Sequence, residues 1–275
     1  MIPELSALQQ KCLETDTKLL GAIAGDVIGS DYEFLEVKFY DFPIFPPKSN
    51  FTDDSVLTMA TANKLISESD YTTEYRKFGT KYPHPKGSYG NNFKKWLILP
   101  EAPTFASFGN GSAMRVSPVG YAFKTMDETL SEAKKSAEVS HSHPEGIKGA
   151  QATAASVFLA RTGASKEEIR EFITNTFQYN LSRTCDEIRP GYHFDSSCQG
   201  TVPESIIAFL ESDDFEDAIR LTISLGGDSD TMGAITGAIA EAFYGEVPQF
   251  IKQKVIKLLP FEFLDIIVRF NAKFI

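Results

Sequence analysis

Apolar residues recur at helical spacing in segment after segment of this chain, and Gly or Pro punctuates nearly every junction between the segments. This pattern constrains the fold more than any other feature, because a period near 3.6 gives each segment one apolar face that only packing against other helices can bury. Between Ser55 and Ser69 the apolar positions are Val56, Met59, Ala60, Ala62, Leu65 and Ile66. Between Glu145 and Ala160, Ile147, Ala150, Ala154 and Val157 share a face. The same reading predicts helices over Lys166–Phe177, Val202–Leu210, Phe215–Leu225, Met232–Tyr244 and Phe250–Leu259. Alternation of period two is scarce; LEVKFYDF, from Leu35, is the best strand candidate. There is no fixed repeat and no low-complexity linker. The expectation is a compact all-α bundle forming a single domain, 1–275, a length that supports a sizeable core.

Two regions resist helix assignment. Tyr40–Phe51 is broken by prolines, and Lys81–Ser117 holds Pro83, Pro85, Gly87, Gly90, Pro100, Pro103, Gly109 and Gly111. Loops that long inside a compact domain are often functional.

The net charge of −10 opposes binding to a nucleic acid backbone, and the basic pairs Lys94-Lys95 and Lys134-Lys135 stand isolated. Cys12, Cys185 and Cys198 lack metal or redox spacing, which predicts reduced thiols in a cytoplasmic protein. MIPELSALQQ lacks the basic and apolar regions of a signal peptide. LLGAIAGDVIGS is too short to span a membrane and carries Asp26.

Chemistry concentrates at two predicted helix starts. FTDDS places Thr52 beside Asp53 and Asp54; GGDSDT places Asp228, Asp230 and Thr231 before an Ala/Gly-rich helix. Capping accounts for one Thr or Asp per helix, at about 1 kcal/mol each. It leaves the second acid of each cluster unexplained. If the two starts converge, four carboxylates and two hydroxyls face one another, and repulsion forces some acids to take up protons unless cations are present. All-oxygen donors without His or Cys select Mg²⁺, Mn²⁺ or Ca²⁺, and four negative charges balance two divalent ions. Small residues around the second cluster, among them Gly226, Gly227, Ser229, Gly233 and Ala234, are expected to let backbone and ligand approach closely. A third acidic stretch, GAIAGDVIGSDYEF, carries Asp26, Asp31 and Glu33, with Glu33 either a general base, a cation-linked acid or a solvated loop acid.

In order along the chain, GDVIGSDYE (from Gly25), FTDDS, GNGSAMRVSPVG (from Gly109), SHSHPEGIKGA (from Ser140) and GGDSDT resemble the motifs of the ADP-ribosylglycohydrolases. The resemblance implies an all-α orthogonal bundle with a binuclear Mg²⁺ or Mn²⁺ site. It matches Thr52, Asp53 and Asp54 to one ligand set and Asp228, Asp230 and Thr231 to the other. Glu33 falls where one branch has a catalytic glutamate, and Asp54 is counted with it as catalytic. For ADP-ribose, the resemblance points to Gly109, Asn110, Gly111, Ser112 and Met114, to His141 after a Ser140 that replaces the family's Thr, and to Gly200, Thr201 and Val202 before a helix. His143 reads as a helix-start histidine. KGSYGNNF, with Tyr89 and Gly90, is expected at the rim. Tyr121 and Phe123 are read as core or as adenine partners.

The implied reaction is hydrolysis of the bond between the anomeric carbon of ADP-ribose and a protein or small-molecule acceptor, through an oxocarbenium-like transition state. Glu33 then orients or deprotonates the water, or protonates the leaving group. The rivals are a phosphoesterase, which would usually add His ligands, and a non-catalytic ADP-ribose binder, which would tend to lose acids. A monomer is expected.

Overall fold

The computed structural model describes residues 5–14, 17–99 and 104–275. Pro100 and Pro103 of the long loop lie outside the described residues. Among the described residues there is no β-ladder, only three isolated bridges, and helices carry the fold. LEVKFYDF is not a strand: residues 36–39 form no regular element and take part in no bridge among the described residues. No described helix is long and apolar enough to cross a membrane.

The expected helices are present, with ends set by their caps. The first runs Asp53–Ile66, because the Thr52 hydroxyl accepts from the Asp54 amide and starts the helix before Ser55. Pro144–Arg161 and Lys166–Phe177 follow the periodicity closely. Cys198–Glu211 begins four residues before Val202, capped by Ser197. Ser229–Tyr244 likewise begins ahead of Met232. Phe215–Ile223 and Gln249–Val255 stop short of the predicted ends. The Lys81–Ser117 stretch is not loop throughout; it contains helices Asn91–Ile98 and Gly111–Met114.

The helix that positions the site, Leu20–Gly29, is one the periodicity does not single out. All ten of its residues are buried, so no face is polar and no period shows. Its apolar side chains, including Ile23, Val27 and Ile28, are fully buried, worth about 1.5–3 kcal/mol each in transfer free energy. It packs against Ser229–Tyr244 with backbones in contact. A Cβ on Gly25 would lie 1.8 Å from the Gly233 carbonyl oxygen, and one on Gly29 2.2 Å from that of Ser229. Only glycine allows this approach. Gly233 thus provides the close backbone approach expected of the small residues in this cluster. The consequence is that Asp26, the lone acid of the buried helix, comes beside Asp230.

The Asp53–Ile66 helix packs on both Leu20–Gly29 and Phe261–Phe274, while Pro144–Arg161 packs on Gly111–Met114, Cys198–Glu211 and Ser229–Tyr244. The starts of Asp53–Ile66 and Ser229–Tyr244 thereby open onto one cavity.

Candidate active site

Capping does not explain the acids. At the first helix Thr52 is the cap, with its hydroxyl 3.2 Å from the Asp54 amide, and both aspartates are left over. At the second, Asp228 stands in the cap position but its side chain caps nothing. Its Oδ2 instead accepts from Asn110 Nδ2 at 2.7 Å.

The leftover carboxylates meet. Asp53, Asp54, Asp228, Asp230, Thr231 and Glu33 line one cavity of about 540 Å³. Glu33, Asp228 and Asp230 each offer an oxygen within 4.8 Å of the others. Thr52 is fully buried just behind this surface. Burial, and then the Asp230 charge, push the carboxyls of Asp53, Asp54 and Asp228 well above the usual range. Burial raises Asp230 as well. Glu33 is pushed up to about 8 by burial, Asp230 and Asp26. Among the described residues, Oδ2 of Asp54 and Oδ1 of Asp26 have no hydrogen-bond partner although both are buried. Crowded, desolvated oxygens with unfilled acceptor capacity fit a hard divalent cation.

Asp26 has a role the sequence reading left unassigned. Its Oδ2 accepts from the amides of Thr52 (3.0 Å) and Ser55 (3.1 Å) and from the Ser55 hydroxyl. It thus satisfies open donors of the Asp53–Ile66 helix from another helix and locks the two together. Burial and Asp230 push it up to about 7. The available signal was a single acid in an otherwise apolar decapeptide.

The GNGSAMR segment forms the opposite wall. The 105–111 stretch is stitched on both sides: Asn110 N donates to Ser196 O (2.8 Å), Cys198 N to Phe108 O (2.8 Å) and Ser142 N to Phe105 O (3.4 Å). Gly109, Asn110, Gly111 and Met114 line the cavity. Ser112 does not; its hydroxyl is buried and donates to Gly146 O at 2.7 Å.

His141 lines the cavity, and its protonation follows from its neighbours. Arg115, fully buried against the Tyr75 ring at 4.0 Å, donates from Nη2 to Ser140 Oγ at 2.8 Å. Guanidinium only donates, so the Ser140 proton is free to go to His141 Nδ1, 2.8 Å away. That leaves Nε2–H beside Gly111, at whose Cβ position Nε2 is 3.1 Å away. Burial and the Arg115 charge hold the imidazole well below its ordinary pKa, which keeps it neutral.

Gly200, Thr201 and Val202 are not on the cavity surface. The start of their helix is occupied by the chain's own groups: Gly200 N donates to Ser197 Oγ (3.2 Å), and Asp195 Oδ1 accepts from Ser197 N (2.8 Å). An acid thus sits where an anion was expected. Thr201 acts from behind the wall. Its hydroxyl donates to Asp195 O (2.7 Å) and accepts from Asn110 Nδ2 (3.1 Å), the amide that also holds Asp228.

Gly90 lines the cavity, and Gly87, at φ 74°, brings the same loop within about a methyl's reach of Glu33, since a Cβ there would lie 3.0 Å from Oε2. Tyr89 is buried, with its hydroxyl on Tyr82 O at 2.9 Å. His143 caps Pro144–Arg161 through Nδ1. Tyr121 is core, turned toward Glu241.

The family model "ADP-ribosylglycohydrolase" matches residues 17–268. An ADP-ribosylarginine hydrolase Tri1 from Pseudomonas putida is 28% identical, covering 82% of this chain and 69% of its own. The ADP-ribosylhydrolase ARH3 of Homo sapiens is 26% identical, covering 86% and 87%. A solved chain described as an ADP-ribosylglycohydrolase-related protein complex has the same fold, with a TM-score of 0.73 at 23% identity over 98% of this chain and 100% of that one. With the model spanning nearly the whole length and the motif residues gathered around one cavity, this chain belongs to the ADP-ribosylglycohydrolase family, a family of glycosidic-bond hydrolases.

Proposed function

We propose that this protein hydrolyses the glycosidic bond between ADP-ribose and an acceptor, using two Mg²⁺ or Mn²⁺ ions. Thr52, Asp53 and Asp54 would supply one ligand set, and Asp228, Asp230 and Thr231 the other. The observation that carries this reading is the convergence of two helix starts, far apart in sequence, whose surplus carboxylates line one cavity. When bound, such cations would supply Lewis-acid activation of water.

The chain's own groups supply the remaining functions. Glu33 holds a proton at neutral pH in the cation-free chain, since its carboxyl is pushed up to about 8. It is placed to exchange that proton with the water or the leaving group. His141, neutral and fixed by Ser140, offers Nε2–H to an acceptor oxygen of the bound nucleotide sugar. Asn110, held by Thr201, fixes Asp228. A cavity of about 540 Å³ is of the size that takes a small molecule whole. The name of the Pseudomonas putida relative, an ADP-ribosylarginine hydrolase, supports an ADP-ribosylated substrate such as ADP-ribosylarginine.

The test is a panel of ADP-ribosylated substrates assayed with Mg²⁺, with Mn²⁺ and with EDTA. Cation-dependent release of free ADP-ribose is expected. Tight ADP-ribose binding without turnover would make the protein a binder, and release of phosphate or AMP would make it a phosphoesterase.

A further inference from the structure

Next to Glu33 the cavity has a lip made of two aromatic rings in water. Phe34 is 72% exposed and Phe194 44% exposed, yet their rings stack, with centroids 5.7 Å apart and planes 28° from parallel. Phe194 lines the cavity wall, and Phe34 follows the one glutamate on that surface. The pair joins segments 160 residues apart, and a second contact fixes it there: His193 Nδ1 meets Glu36 Oε1 at 3.1 Å. Glu36 takes φ 43°, a left-handed conformation that costs a non-glycine residue about 1–2 kcal/mol, so the turn that presents Phe34 is held and not merely tolerated. Both rings keep apolar faces in solvent, although folding normally buries such surface. Glu33, Glu36 and Asp195 flank the pair in the chain, with Glu36 held by His193 and Lys38 bound at Tyr192 O beside them.

Resting on the reading that this cavity cleaves ADP-ribosyl bonds, we propose that Phe34 and Phe194 are specificity-determining residues that grip the flat face of the leaving group. Hydrolysis joins the water oxygen to the anomeric carbon, breaks that carbon's bond to the departing nitrogen, and returns a water proton to that nitrogen. A departing guanidinium or nucleobase is planar and stacks on phenyl rings; a guanidinium also gains from the ring quadrupole. A serine-linked substrate offers no flat face. The shared chemistry is a planar π-system at the scissile nitrogen.

The experiment compares kcat and KM for arginine-linked, guanine-linked and serine-linked ADP-ribose in the Mg²⁺-loaded wild type and in Phe34→Ala, Phe194→Ala and Phe34→Trp. Both rings are exposed enough that the variants fold. Each alanine variant is expected to lose about tenfold in kcat/KM on a planar linkage, mainly through KM. Serine-linked turnover should move less than about twofold, as should affinity for free ADP-ribose, while Phe34→Trp restores the planar substrate. The arm that loses more, guanidinium or base, identifies the natural source. Equal losses on all linkages, or none on the planar ones, would overturn the proposal. So would a wild type that cleaves only the serine-linked substrate, which leaves ADP-ribosyl hydrolysis standing. A wild type that cleaves nothing would remove both.

Discussion

At the residue scale, the site is a set of acids that the cation-free protein can hold only at a cost. Asp54 is buried with one oxygen unpartnered, and its carboxyl is raised by burial, Asp230 and Asp26. Asp54→Asn keeps the shape and removes a charge. The variant's cation-free melting temperature should rise above that of the wild type, its stabilisation by Mg²⁺ should vanish, and its turnover should fall at least about 100-fold. Thermal shifts with and without Mg²⁺ check this; a variant less stable than the wild type in EDTA would show that Asp54 is structural. The surplus of acids at the two helix starts was legible because capping could absorb only one residue per cluster, and Asp53, Asp54, Asp228 and Asp230 line one cavity. Asp26 and Arg115 were not legible, because their partners lie far away in sequence: Thr52 for one, Ser136 and Ser140 for the other.

At the element scale, two devices carry the geometry. The first is the glycine contact between Leu20–Gly29 and Ser229–Tyr244. Gly25→Ala puts a methyl 1.8 Å from main-chain Gly233 O, where nothing flexible can yield. A loss on the order of 3 kcal/mol in denaturant stability is expected, against little for Gly191→Ala, whose added methyl meets nothing within 4 Å. The second is the Thr201–Asn110–Asp228 relay. Thr201→Val should weaken Mg²⁺ binding by about tenfold in calorimetry with little change in fold, and Thr201→Ser should keep it. Unchanged affinity in the valine variant would show that Asn110 holds Asp228 unaided. Amphipathic helices were readable to within a few residues. The wholly buried Leu20–Gly29 was not, because a helix apolar on every side carries no period. The short helices inside 81–117 were hidden by the Gly and Pro that surround them.

At the scale of the whole molecule, the all-α architecture followed from periodicity. The depth of the cavity did not, since it depends on how closely helices from the two ends of the chain approach. Stability inherits the acids' titration. The carboxyls of Asp26 and Glu33 rise from 3.8 and 4.5 to about 7 and about 8 in the folded, cation-free chain. Between those limits the native state holds protons that the unfolded chain has released, so stability falls as pH rises across roughly pH 4 to 8. Divalent cations replace those protons. Their stabilising shift in melting temperature should therefore grow from pH 5 to pH 8, and a shift independent of pH would place cation binding elsewhere.

The central claim is that oxygen donors from the two helix starts jointly hold divalent cations beside a bound nucleotide sugar. Anomalous diffraction from crystals grown with Mn²⁺ and ADP-ribose tests it directly. Two peaks are predicted between Asp54 and Asp230, with ribose hydroxyls facing them and His141 against the ligand. Peaks outside this cavity, or none within it while ADP-ribose is bound, would contradict the account.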